Sequence, residues 1–230
     1  MNDRREKAVV LLSGGLDSVV ALKLAMRDRD VIAALTFDYG QRARYKERDL
    51  ACHICCEWGI PHEGIKLPWL RDWTTTALVN ARMELPTTSA ESVDTGAHDR
   101  ARAVWVPNRN GAFIAIAAAL AESRSARFVI SGFNAEEAVT FPDNSEAFLK
   151  ATNDALSSST LNRVTLESPT ITMTKEDIAR EFLRLGIDPW FFWCCYEDGE
   201  RLCGRCESCV RAMRAFTKAG GWDKISARFA

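Results

Sequence analysis

Ala8-Val9-Val10-Leu11-Leu12 is an unbroken apolar run, the pattern of a parallel strand covered on both faces. After two glycines, residues 17–26 carry Val19, Val20, Leu22, Leu24 and Ala25 at helical spacing. Residues 31–37 predict a second strand, and 41–58 a charged amphipathic helix stopped by Gly59 and Pro61. A third, shorter strand is expected at 63–67. Periodicity returns at 110–123, an alanine-rich helix that reads as buried nearly all round. Strands at 127–131 and 164–166 then interleave with helices at 145–156 and 174–185, the last opened by a box-like Thr174 and Asp177. Strands alternating with helices imply an α/β fold with a doubly wound parallel sheet, whose ligands bind at the carboxyl ends of the strands.

Between Pro68 and Val106 the pattern weakens into polar stretches such as Thr74-Thr75-Thr76 and Thr87-Thr88-Ser89. A long irregular segment in a compact enzyme is usually a lid, a binding loop or an insertion, so 68–106 is a candidate lid. From Trp190 onward the chain is dense in cysteine and aromatics. The expected organisation is one α/β domain over 1–189 and a small helical tail over 190–230.

Composition narrows the class. With 230 residues, 47% hydrophobic and 27% charged, the chain has material for a sizeable core without disulfide staples. A formal charge of −1 offers no global basic field, so direct nucleic-acid binding is not expected. Nothing approaches the ~18–20 apolar residues that would cross a membrane, and the charged start runs straight into a strand without a secretory pattern. The reading is cytoplasmic, with the eight cysteines present as thiols or metal ligands.

Ser13-Gly14-Gly15-Leu16-Asp17-Ser18 stands at a strand-to-helix junction directly after Leu12. The glycines let backbone approach an anion, and the helix start supplies free N–H donors. Neither a Walker A loop nor a dinucleotide fingerprint is present. The hexapeptide resembles the PP-loop of the ATP pyrophosphatase superfamily, which implies attack of a substrate oxygen on the α-phosphate of ATP with loss of pyrophosphate. On that resemblance Asp17 helps to hold Mg²⁺, and Arg109 and Lys175 are the candidate cations for the phosphates.

Cys195, Cys203, Cys206 and Cys209 are spaced x7, x2, x2, which suits a four-thiolate site for structural Zn²⁺. An iron–sulfur cluster uses the same ligands. Spacing alone does not decide between Cys194 and Cys195. Arg201, Arg205, Arg211 and Arg214 are near enough in sequence to offset the thiolate charge. Cys52, Cys55 and Cys56 are expected to pack as small apolar residues on their helix. His53, His62 and His98 build no triad.

Phe37-Asp38-Tyr39-Gly40-Gln41-Arg42, Val106-Pro107-Asn108-Arg109-Asn110, Ser168-Pro169, Thr174-Lys175, Trp193-Cys194-Cys195-Tyr196 and Cys203-Gly204-Arg205-Cys206-Glu207-Ser208-Cys209 occur in that order. Together with the loop they resemble the 7-cyano-7-deazaguanine synthase family from Val9 to about Phe216, and within Trp193–Tyr196 the resemblance selects Cys195 as the ligand. It implies a PP-loop (adenine nucleotide alpha hydrolase-like) fold with a small zinc-binding subdomain. The implied reaction is adenylation of the carboxylate of 7-carboxy-7-deazaguanine by ATP, amidation by free ammonia and a second activation to the nitrile, in a homodimer. After Gly132 the family's Ser-Gly-Tyr-Pro-Asp-Cys-Arg is replaced by a divergent loop that keeps Pro142 and Asp143. Gln41, Phe133, Glu137, Phe141 and Asp143 are the candidate substrate contacts, the phenylalanines as stacking faces or as core. The alternative reading is a relative that stops at the amide or conjugates the activated acid to an amine on a protein acceptor.

Overall fold

The computed structural model describes residues 5–230. Five parallel strands, β1 (Lys7–Leu11), β2 (Asp30–Asp38), β3 (His62–Lys66), β4 (Phe128–Ile130) and β5 (Thr165–Glu167), form one sheet in the order β3-β2-β1-β4-β5. The order reverses between β1 and β4, and the crevice outside such a reversal is where an open α/β sheet binds its ligands. Along β1 the side chains of Ala8 and Val10 enter one core and Val9 the other, which explains a continuous rather than alternating apolar run.

One face carries α1 (Leu16–Asp28), α2 (Arg44–Trp58), α7 (Lys175–Arg184) and α8 (Glu207–Lys218); the other carries α5 (Arg109–Ser123) and α6 (Glu146–Ser159). Thr174 caps α7 in a reciprocal box with Asp177, and the Ser145 hydroxyl caps α6 by accepting from Phe148 N. The amphipathic helix α2 begins at Arg44 rather than Gln41, because Gln41 is used in the turn before it. Helix α5 is not buried all round: Ala115 and Ala119 are exposed, since the sheet covers only one side of it.

The 68–106 segment is more ordered than its polar composition suggests. It contains α3 (Pro68–Asp72) and α4 (Ala97–Val104), too short and too charged on the outer face to show as periodicity. Arg42 donates to the carbonyls of Ala77 (2.8 Å) and Asn80 (2.9 Å). Thr87 pairs with Cys206, Arg100 Nε donates to Glu207 Oε2 at 2.8 Å, and Arg214 Nη1 meets Asp94 Oδ2 at 2.6 Å. The segment is thus fastened to the C-terminal helix α8.

The tail does not form a core of its own. Phe192 and Phe216 pack with Phe182 of α7 in the same apolar cluster as Leu16 and Val19 of α1. Among the described residues, no helix is long and apolar enough to cross a membrane.

Candidate active site and metal centre

The loop between β1 and α1 is built to receive an anion. Gly14 has φ +75°, a conformation that favours glycine, and Gly15 precedes α1 without a side-chain cap. The Ser13 hydroxyl accepts from Gly15 N at 3.2 Å and lies 3.2 Å from the Ser18 hydroxyl, so the side chains hold the loop's shape. The first N–H groups of α1 then face outward at the positive end of a 13-residue helix. Gly132, after β4, passes so close that a Cβ would sit 2.7 Å from Ser18 N and 2.8 Å from Asp17 C. From the tail, Trp193 N donates to Gly14 O at 2.7 Å, clamping the loop from the other side.

Lys175 opens α7, almost fully buried, and its Nζ bridges Asp17 and Glu137, the latter at 2.6 Å. Burial pushes the Asp17 carboxyl up to about 6 although Lys175 pulls it down. Burial would likewise raise Glu137, but the lysine outweighs it and leaves the group below its ordinary value. Burial disfavours the Lys175 ammonium, yet the two carboxylates hold it firmly protonated. Among the described residues one Asp17 oxygen, Oδ1, is buried without a hydrogen-bond partner. A buried, unpartnered carboxylate oxygen beside an anion loop is a fitting ligand for a hard cation such as Mg²⁺.

Arg109, at the start of α5, donates from Nη1 to the Tyr39 hydroxyl at 3.0 Å. Desolvation works against its charge, but Tyr39 and Asp143 more than restore it. These groups surround a two-lobed cleft at the carboxyl ends of the strands, each lobe roughly 200 Å³. Ser13, Gly15, Asp17, Tyr39, Arg109 and Glu137 line both lobes. Leu12, Phe37, Phe133 and Gly132 wall the sheet-side lobe, and Phe141, Lys175, Trp193 and Tyr196 the tail-side lobe.

The residues expected from sequence divide accordingly. The whole 12–18 loop, Arg109, Lys175, Glu137, Phe133 and Phe141 converge here, with Gly14 behind the loop rather than in the wall. Phe133 is also packed against Phe148, its ring largely committed to the core. Phe141 lies near-parallel to Trp105 at 6.1 Å. Gln41 is fully buried and spends its amide on Tyr39 N, Phe37 O and Glu47 Oε2, so it shapes the turn after β2. Asp143 lies outside the cleft wall, where Asn144 stands instead. Sequence reasoning did not single out Tyr39, Glu47, Trp193 or Tyr196. Three of these lie inside motifs quoted above, whereas Glu47 looked like one more charge on a solvated helix.

The Sγ atoms of Cys195, Cys203, Cys206 and Cys209 all lie within 4.8 Å of one another, with Cys203 and Cys209 at 3.9 Å. A tetrahedron of thiolates about 2.3 Å from a metal has edges of about 3.8 Å, so the four fit a single ion. Cys194 is left out of the cluster. Arg211 and Arg214 do not face the thiolates: they bind Glu207, Glu136 and Asp94. Backbone donors serve there, Cys206 N to Cys203 Sγ at 3.3 Å and Glu197 N to Cys195 Sγ at 3.5 Å. In the second cysteine group only Cys55 is buried; Cys52 and Cys56 are exposed, being turned off the apolar face of α2. His62 Nε2 lies 2.8 Å from the Thr36 hydroxyl, which also donates to Leu12 O at 2.6 Å, and His62 itself does not line the cleft.

An anion-loop turn at the switch point, a buried lysine between carboxylates and a bipartite cleft are arranged as in PP-loop enzymes that use a nucleotide. Comparison with known proteins agrees. A family model described as Queuosine biosynthesis protein QueC matches residues 7–220. The 7-cyano-7-deazaguanine synthase of Methanosarcina barkeri is 46% identical over 227 residues, covering 96% of this chain and 98% of the relative. That of Carboxydothermus hydrogenoformans is 49% identical over 214 residues, covering 91% and 98%. The U34-tRNA thiolase NcsA of Methanococcus maripaludis, solved with its [4Fe-4S] cluster, shares the fold at a TM-score of 0.51 and 14% identity over 99% of this chain and 74% of its own. The chain belongs to the QueC family of queuosine biosynthesis proteins.

Proposed function

We propose that the protein is an ATP-dependent carbon–nitrogen ligase that converts 7-carboxy-7-deazaguanine into the nitrile 7-cyano-7-deazaguanine. The observation that carries this reading is the full-length match to 7-cyano-7-deazaguanine synthases, laid over a cleft whose two lobes meet at an anion loop. The sheet-side lobe takes the nucleoside of ATP, and the 13–18 loop with the start of α1 takes its phosphates. The tail-side lobe, between Phe141, Trp193 and Tyr196, takes the planar heterocycle with its carboxylate toward Arg109 and Lys175. The alternative of stopping at the amide or conjugating a protein amine is not favoured, because the close relatives are nitrile synthases.

The chemistry follows from what these residues present. Lys175 and the N–H groups of α1 stabilise charge on the departing pyrophosphate while the substrate carboxylate oxygen attacks the α-phosphorus. Asp17, together with an ATP oxygen, would hold Mg²⁺, which when bound neutralises phosphate charge and aligns the leaving group. Arg109 steadies the carboxylate before attack and, after ammonia adds, the oxygen that becomes the amide carbonyl. A second adenylation on that oxygen makes AMP the leaving group for dehydration to the nitrile. Ammonia enters as the free base. The four cysteines would hold Zn²⁺ as a structural centre that keeps Trp193–Tyr196 against the loop. Residues 190–230 are in this reading a zinc-organised appendage to the nucleotide-binding domain 1–189. The 68–106 segment acts as a cover fastened through α8, the enzyme works in the reducing cytoplasm, and it pairs as a homodimer.

Purified protein with ATP, Mg²⁺, ammonium and 7-carboxy-7-deazaguanine should yield the nitrile by mass spectrometry. Neither nitrile nor amide would refute the reading, and amide alone would revive the alternative.

A further inference from the structure

Nitrile formation sets a demand that the groups assigned so far do not meet. The nitrogen enters as ammonia bearing three hydrogens and leaves as a nitrile bearing none. When ammonia adds to the acyl adenylate, the C–N bond forms, the C–O bond to AMP breaks, and one N–H proton must be taken up. After the amide oxygen is adenylated by the second ATP, two further N–H protons are lost as the C–O bond to AMP breaks and the C≡N bond is completed. A base must therefore stand in the cleft beside the acyl carbon.

The carboxylates that line the two lobes are Asp17, Glu47 and Glu137. Lys175 engages Asp17 and Glu137 and keeps them occupied with the cation. Glu136 and Glu207, behind the tail-side lobe, are tied to arginines. Glu47 alone of the cleft acids forms no ion pair among the described residues. It stands in the first turn of α2, where the helix abuts the 13–18 loop: a Cβ on Gly14 would lie 3.4 Å from Glu47 O. Its Oε2 accepts from Gln41 Nε2 at 2.7 Å, while Gln41 is itself anchored to Phe37 O and Tyr39 N, so the carboxylate is fixed in orientation. Among the described residues no hydrogen bond is made to Oε1, which is not sealed off from the cleft.

We propose that Glu47 is the general base that removes N–H protons from the nitrogen during amide and nitrile formation, a role that rests on the nitrile-synthase reading above. Burial pushes its carboxyl up to about 7, against the pull of the Gln41 hydrogen bond and of Arg109. Asp198 from the tail and Asp38 at the end of β2 raise it further, and Tyr39 faces it from the same strand end. A carboxylate poised there can both take a proton and release it to solvent near neutral pH. The buried Gln41 then acts as a positioning residue, acting through Glu47.

The test separates proton removal from adenylation. ATP–pyrophosphate exchange with 7-carboxy-7-deazaguanine and no ammonium reads the first adenylation, which breaks no N–H bond. Glu47→Gln should keep that exchange within about threefold of wild type and lose amide and nitrile formation about 100-fold or more. At constant free ammonia, wild-type turnover should rise with pH along a limb near 7 that Glu47→Gln lacks, and Glu47→Asp should recover part of both rate and limb. Glu47→Gln making nitrile within threefold of wild type, with the limb intact, would overturn the proposal. So would loss of exchange in step with nitrile formation, which marks a structural role in the loop. If wild-type protein shows no deazaguanine-dependent exchange, the parent reading fails, and the nitrogen chemistry assigned to Glu47 falls with it.

Discussion

Replacing Lys175 by Met tests the electrostatic arrangement on which the site depends. Met fills nearly the same space, so little packing is lost, but the Asp17 and Glu137 carboxylates then face each other without the cation between them. With the lysine present, Asp17 holds its proton up to about pH 6, against 3.8 ordinarily. Without it, burial and the Glu137 charge hold that proton on to still higher pH. A carboxyl whose folded pKa exceeds its unfolded value binds more protons when folded, so it subtracts stability as pH rises through the window between the two. Wild type completes that loss by about pH 6, whereas the variant goes on losing about 1.4 kcal/mol per pH unit. The Lys175–Glu137 pair is already lost in the variant at pH 6, and from there the gap between the two proteins should widen by about 3 kcal/mol between pH 6 and pH 8, within the scale known for breaking a buried pair. For a chain of this size that is roughly 6–12 °C in melting temperature. Thermal and urea unfolding of both proteins at pH 6 and pH 8, without added magnesium, measures it. A gap that does not widen with pH would refute the reasoning, as would equal stability at pH 8. Adenylation by the variant should fall by at least 10²-fold.

Asp17→Asn should abolish ATP–pyrophosphate exchange while the fold is retained, as judged by an unchanged circular dichroism spectrum; exchange near the wild-type rate would remove Asp17 from the metal role. Cys206→Ser should lower both bound zinc and melting temperature, since ligand loss at a structural site is loss of folding energy; metal analysis finding iron would instead assign the cluster to the iron–sulfur class. Gly132→Ala puts a Cβ 2.7 Å from Ser18 N, so the loop must shift, and exchange should drop about tenfold or more through misplacement of the phosphates. Full activity in that variant would refute the close approach of Gly132 as a constraint on the phosphate loop.

Local chemistry made much of this protein readable from its sequence. The apolar run at 8–12, the glycines after it and the Thr174/Asp177 box each act within a few residues, so strand, anion loop and helix start were legible. The Cys203–Cys209 spacing was legible for the same reason, because metal geometry constrains near neighbours in the chain. What interactions between distant segments settle was not. The exposure of Ala115 and Ala119 depends on the sheet covering only one side of α5, which composition does not express. The order within 68–106 comes from Arg42, Glu207 and Arg214 reaching in from elsewhere, and a polar stretch carries no sign of such partners. Arg211 and Arg214 are near the cysteines in sequence yet turned to Glu136 and Asp94, because a helix points its successive side chains to different faces. Glu47 illustrates the limit best: on α2 it is one acid among several charges, and only the packing of distant segments around it brings it, half-buried, into the cleft wall. Sequence alone determined the fold class, the glycine turn after β1 and the spacing of the clustered cysteines; tertiary packing decided which of the charged residues stand in the cleft, since burial and charge neighbours exist only once the chain has closed.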